Sequence, residues 1–174
     1  SRIFASEIDV TGPGTVDPAL IGMGAVPSGA PLTATITDKP IKYSTTNLNG
    51  CAAFAPGFFT GSVALIQRGT CNFTVKTANA YAAGADYVII FNSRSGPPVG
   101  MPVPETSSML SLEDGLAVKA WIDANPTATV TIHAEVAKVV NPLWEDIVAA
   151  FSSLGPNTTF DVLNPDITGP GAIQ

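Results

Sequence analysis

The chain is poor in charge, histidine and cysteine, and it has no long apolar run. Only 13% of its 174 residues are charged, and 8 Lys and Arg stand against 14 Asp and Glu. A nucleic-acid surface needs clustered basic residues to neutralise phosphates, so this balance argues against a nucleic-acid partner. The acidity is diffuse, with no run of like charge that would form a tail or a metal cage. No apolar stretch approaches the ~20 residues that span a bilayer, so no membrane partner is expected. The two cysteines, Cys51 and Cys71, form no CxxC pair, and the single histidine, His133, is not near them. A zinc site is therefore not expected. No phosphate loop, H-E-x-x-H or calcium loop is present either, so no cofactor is expected. No leader segment is expected at the opening residues, and neither Ser1-Arg2-Ile3-Phe4 nor Gly171-Ala172-Ile173-Gln174 resembles a natural terminus. A processed piece of a longer protein is the expectation.

The cysteines admit two readings, a disulfide or two free thiols. A bridge would close a loop of about 20 residues and contribute about 3 kcal/mol in the chain-entropy account. It would also imply an oxidising compartment and hence export. Asn72-Phe73-Thr74 and Asn157-Thr158-Thr159 match the glycosylation acceptor pattern.

Hydrophobic residues make up 45% of the chain, enough for one domain with a real core. The organising stretch is residues 61–92, which reads strand, polar loop, helix, strand. Residues 62–67 and 87–91 are short apolar runs. Between them Asn72 is placed to cap a helix on which Phe73, Thr77, Ala78, Tyr81 and Ala82 lie on or near one face, and Gly84 stops it. Two strands joined by a helix predict a right-handed βαβ crossover and a parallel pair. Arg68-Gly69-Thr70-Cys71-Asn72-Phe73 then sits where the first strand ends, the usual place for binding residues in such units.

Before this unit, Ile3, Ala5, Ile8 and Val10 suggest a strand of imperfect alternation, and residues 32–36 and 40–43 suggest two more. Thr11-Gly12-Pro13-Gly14 and Pro27-Ser28-Gly29-Ala30-Pro31 read as turns. After it, the proline-rich residues 93–104 form a loop, read as a connector rather than a contact surface, and Met109-Leu110 supplies a third parallel strand. Ser111 with Asp114 makes a capping-box-like helix start, with Leu112, Leu116, Ala120, Trp121 and Ala124 at helical spacing. Residues 127–136 alternate strictly, with Val130, Ile132, Ala134 and Val136 on one face, which predicts a half-buried antiparallel strand. Trp144, Ile147, Val148 and Phe151 fit a helix, although residues 146–151 also fit a strand.

Taken together, the stretch from Val63 to Asn92 resembles the protease-associated (PA) domain. The matching residues are Arg68-Gly69-Thr70-Cys71-Asn72-Phe73, Lys76, Asn79-Ala80, Ala83-Gly84-Ala85 and the apolar strand ending in Asn92. Cys51 falls where that family places the disulfide partner of Cys71. Similarity continues through Pro102-Val103-Pro104 and Leu110-Ser111-Leu112-Glu113-Asp114-Gly115. The resemblance implies an α/β fold of the β/β/α swivelling type, with two sheets and flanking helices. One sheet would hold parallel βαβ units and the other would be antiparallel. Phe151-Ser152-Ser153-Leu154-Gly155-Pro156 and Pro165-Asp166-Ile167-Thr168-Gly169-Pro170-Gly171 are similar to segments that precede the catalytic serine of subtilisin-like proteases. Arg2-Ile3-Phe4 resembles the segment before the PA insertion. Leu154 and Gly169 depart from the usual Arg and Ala. The expected division is a flank at 1–19, a PA domain at 20–138 and a second flank at 139–174.

Catalytic chemistry is not expected within the chain. The G-T-S-x-A and H-G-T motifs are absent, and Ile8-Asp9-Val10-Thr11-Gly12 is read as a chance likeness to the aspartate motif. His133 is read as an exposed structural residue and Lys76 as a solvated one. Arg68, Gly69, Thr70, Asn72 and Phe73 are the candidate residues for a peptide or partner. For Arg68 the competing reading is internal pairing with an acid or with carbonyls, and for Phe73 it is core packing. The resemblance implies a secreted, non-catalytic module whose partners are the protease's protein or peptide substrate and its catalytic domain. The alternatives are a cargo-binding PA domain of a sorting receptor and the PA domain of a metallo-exopeptidase.

Overall fold

The structure, a computed structural model, describes residues 2–140. The expectations for residues 141–174, both protease-like segments included, lie outside that range. Among the described residues the strands are β1 (Arg2–Thr11), β2 (Met23–Ser28), β3 (Ile36–Lys42), β4 (Val63–Gln67), β5 (Tyr87–Phe91), β6 (Ser107–Leu110) and β7 (Thr129–Val140). Helix α1 (Phe73–Ala82) lies between β4 and β5, and α2 (Leu112–Ala124) between β6 and β7.

The strands close into one barrel in the order β1-β2-β6-β5-β4-β3-β7. Neighbours from β3 through β4 and β5 to β6 are parallel, and the remaining pairs are antiparallel. The parallel and antiparallel strands assigned to two sheets are thus two arcs of a single ring. The barrel begins with β1, inside the segment that sequence reading sets apart as a flank.

The parallel arc follows from the apolar runs. Val63, Leu65, Tyr87, Ile89 and Phe91 belong to the larger core cluster, with Ile8, Val10, Val130 and Ile132 of the antiparallel arc. Ala64, Ile66, Val88 and Ile90 belong to a second cluster with Ala80 and Ala83 at α1. Burial on both faces requires continuous apolar strands, and that is what these runs are.

The antiparallel arc departs from expectation in three places. A register shift between Ser6 and Ile8 buries Ala5, Ile8 and Val10 together, which accounts for the imperfect alternation of β1. Strand β2 is absent from the sequence reading because Gly24 and Pro27 disguise it as turn material. Residues 32–36 are mostly irregular, and β3 begins only at Ile36. On β7 the alternation holds at Val130 and Ile132 but fails beyond. Pairing with β3 stops at Ile132, and Val136 lies beyond it, 51% exposed.

Both helices bury a face that only partly overlaps the predicted one: Phe73, Thr77 and Tyr81 of α1 and Leu112 and Trp121 of α2 pack inward as expected, and other residues of the predicted faces do not. On α1 the buried residues are Lys76, Thr77 and Ala80, while Ala78 and Ala82 are exposed. On α2 they are Gly115 and Val118, and Leu116 is exposed. Gly115 sets that choice, because a Cβ there would lie 2.1 Å from Phe91 Cβ. The expected capping of α2 is present, with Ser111 Oγ accepting from the Asp114 amide at 3.1 Å.

Strand directions place the loops. Arg2 pairs with Val140 and Thr11 with Thr129, so the chain enters and leaves the barrel side by side at one end. Strand β3 runs opposite to β7, and β4, β5 and β6 follow β3. The loops after β4 and β5 therefore open at the other end.

Candidate binding cleft

At that far end a cleft of about 420 Å³ is lined by residues 68–74 and Pro102. All five candidate binding residues, Arg68, Gly69, Thr70, Asn72 and Phe73, line it. The Arg68 amide continues the strand ladder by donating to Phe91 O at 2.9 Å. The chain then turns sharply through Gly69 at φ 136° and Thr70 at φ 59°. A left-handed threonine is uncommon and must be held by its surroundings. Asn49 Nδ2 donates to Thr70 Oγ1 at 2.8 Å, and the next residue is bound in the Cys51–Cys71 disulfide. Of the two readings of the cysteines, the bridge is present, and it ties this loop to the residue that follows the Asn47–Gly50 turn.

Arg68 lies along the cleft. Its guanidinium donates to Asn92 Oδ1 at 3.1 Å and sits 5.4 Å from the centre of the Phe73 ring. Among the described residues its charge has no carboxylate partner, and the cleft lining contains no acid. Asn72 stands at the N-cap of α1, but its side chain makes no capping hydrogen bond. The first amides of α1 thus keep their positive dipole end toward the cleft. Phe73 packs against the second core cluster and also lines the cleft. The set combines a cation, the N-terminal end of α1 and an aromatic face, which suits the carbonyls and carboxylates of an extended peptide.

A family description reading "PA domain" matches residues 31–121, more than half of the chain. The chain belongs to the PA domain family. Minor extracellular protease Vpr of Bacillus subtilis is 33% identical over 140 residues, covering 78% of this chain and 16% of that protein. An aminopeptidase of Pseudomonas aeruginosa is 56% identical over 57 residues, covering 32% of this chain and 10% of that protein. The PA chain therefore spans a small fraction of these relatives. The solved aminopeptidase from Aneurinibacillus sp. strain AM-1 shares the fold, with a TM-score of 0.50 at 21% identity over 80% of this chain and 34% of that one.

Three contributors to the PA site escape sequence reasoning. Lys76, expected in solvent, is fully buried beneath the loop. Its ammonium donates to Asn49 O and, at 3.2 Å, to Gln67 O, and burial pushes its pKa down to about 8. A helical wheel centred on Ala80 and Ala83 would have turned it inward. Asn92 and Pro102 carry part of the family resemblance, but sequence reading assigns them no binding role. Pro102 lines the cleft between buried Met101 and Val103, and the Met101 amide donates to Ser28 Oγ at 2.8 Å. The 93–104 loop is thus anchored to the core at these residues.

His133 and Asp9, read separately as incidental, meet each other. His133 Nε2 lies 2.7 Å from Asp9 Oδ2, and Asp9 Oδ1 accepts from the Gly22 amide at 2.8 Å. The pair ties β1 to β7, and among the described residues no serine or cysteine bonds to the imidazole.

Proposed function

We propose that this PA domain is the non-catalytic peptide-engaging module of a secreted subtilisin-like serine protease, with the catalytic triad elsewhere in the parent protein. The observation that carries the reading is the Arg68 guanidinium, without a carboxylate partner among the described residues and 5.4 Å from the centre of the Phe73 ring, in a cleft that also receives the N-terminus of α1. The cleft opens away from the side-by-side strand ends, the arrangement of a module projecting from a host domain. The protease-like segments at 151–156 and 165–171 favour a subtilisin-like host, and the likeness to an extracellular protease favours export. Its partners are segments of the host's protein substrate and the host's catalytic domain.

The test is binding of extended peptides to the folded chain, followed by titration calorimetry. Arg68→Ala should weaken binding at least about tenfold, as expected for loss of a charged hydrogen bond worth about 1.5–3 kcal/mol. No binding by the wild-type chain, or equal binding by the variant, refutes the peptide-engaging role. A metallo-exopeptidase host is the second reading, favoured by the 56% identity to an aminopeptidase over 57 residues. The parent sequence following residue 174 decides between them. A G-T-S-x-A serine motif selects the first, and metal-ligand motifs select the second.

A further inference from the structure

Lys76 places a buried cation directly behind the cleft loop, beside the disulfide. Its Nζ lies 3.6 Å from Cys51 Sγ, and among the described residues it has carbonyl partners but no carboxylate. Thr70 Oγ1 also lies 3.6 Å from Cys51 Sγ. Cys51 sulfur thus faces two groups able to donate hydrogen bonds, next to the Asn49 and Gly69 carbonyl oxygens at 3.7 Å each, while the disulfide itself carries no charge to receive them. Cys71 has the opposite situation, because it lines the cleft and Cys51 does not.

We infer that the Cys51–Cys71 bridge is a directional thiol–disulfide exchange site, attacked at Cys71 from the cleft by a small thiol while Cys51 departs into the pocket formed by Lys76 and Thr70. The thiolate of the incoming thiol forms a bond to Cys71 Sγ. The S–S bond breaks, and its electron pair stays on Cys51 as a thiolate. A second thiol then attacks the mixed disulfide, forming a free small-molecule disulfide and leaving Cys71 as a thiolate. Two thiols are oxidised and one protein disulfide is reduced. A thiolate on Cys51 supplies the counter-charge that buried Lys76 lacks, so the reduced form is stabilised and Cys51 is the better leaving group. The depressed pKa of Lys76 agrees with an ammonium short of negative partners. Since Cys71 stands between Thr70 and Asn72 in the cleft wall, a mixed disulfide there would occupy the cleft. The exchange itself does not depend on what the cleft otherwise holds.

The test uses the folded full chain and reduced glutathione as the probe, with acid quenching and peptide mass mapping. The expected product carries glutathione on Cys71 and a free thiol on Cys51. Glutathione found on Cys51, evenly on both, or on neither under conditions that exchange an exposed reference disulfide overturns the inference. In a dithiothreitol redox titration, Lys76→Met should make the bridge about tenfold harder to reduce, and Thr70→Val should shift the midpoint the same way by a smaller factor. Unchanged midpoints in folded variants overturn it as well. If Lys76→Met does not fold, Thr70→Val and the wild-type mapping decide.

Discussion

Replacing Lys76 by methionine tests whether the structure has placed a real charge under the cleft loop. The side chain is fully buried, and desolvation lowers its pKa from 10.5 to about 8. Below pH 8 the lysine is protonated in folded and unfolded chains alike, and holding that charge in the fold costs about 3 kcal/mol. Between pH 8 and 10.5 the folded chain has released this proton and the unfolded chain has not. The unfolded state then binds more protons, so stability rises with pH across that window. Methionine removes the titration and leaves Asn49 O and Gln67 O without their donor, at about 1–3 kcal/mol for each carbonyl. At pH 7 the relieved desolvation offsets much of that loss, and at pH 10 it no longer does. Urea unfolding at both pH values, followed by tryptophan fluorescence, should show the deficit of Lys76→Met growing by about 2–3 kcal/mol from pH 7 to pH 10. A deficit that stays flat or shrinks refutes the buried-cation account.

Other outcomes follow from the same contacts. Tyr81 and Tyr87 are pushed up to about 12 by burial, so their contribution is intact below pH 10 and lost as pH rises toward 12. Wild-type stability should therefore pass through a maximum near pH 10 within the alkaline range, and a steady rise to pH 12 contradicts it. Gly115→Ala places a methyl 2.1 Å from Phe91 Cβ and should lower stability by about 1–3 kcal/mol in a denaturant titration. Ser111→Ala removes the bond to the Asp114 amide and should cost about 1 kcal/mol by the same measurement. Cys51→Ser with Cys71→Ser opens a 20-residue separation and should cost about 3 kcal/mol.

Much of the central unit is legible in the sequence. Residues 87–91 form β5 as read, Ser111 caps α2, and the loop at Arg68 lies at a strand end, because each is a local matter of apolar runs, capping and turn chemistry. The resemblance to the PA domain was legible for the same reason, being carried by a continuous stretch of residues. Helix faces were legible only in part, with Thr77 and Trp121 placed inward and Ala78 and Leu116 misplaced. Helix α1 is apolar or small on most sides, so its periodicity does not select a face, and the position of β4 and β5 turned Lys76 inward. On α2 the selection fell to Gly115, whose missing side chain lets the helix approach Phe91.

The sequence by itself determined that a βαβ unit exists, that a second helix follows it, and that no subtilisin-like catalytic motif accompanies them. Those properties depend on neighbours along the chain. Tertiary structure alone decided that β1 and β7 close the ring, that Asp9 meets His133, and that Arg68 keeps a charge without a carboxylate partner among the described residues. It also decided that a buried lysine stands beside the disulfide. Each of these depends on which distant segment fills the neighbouring space. Long-range packing, with its desolvation of charge, is a property of the assembled barrel and of no single stretch within it.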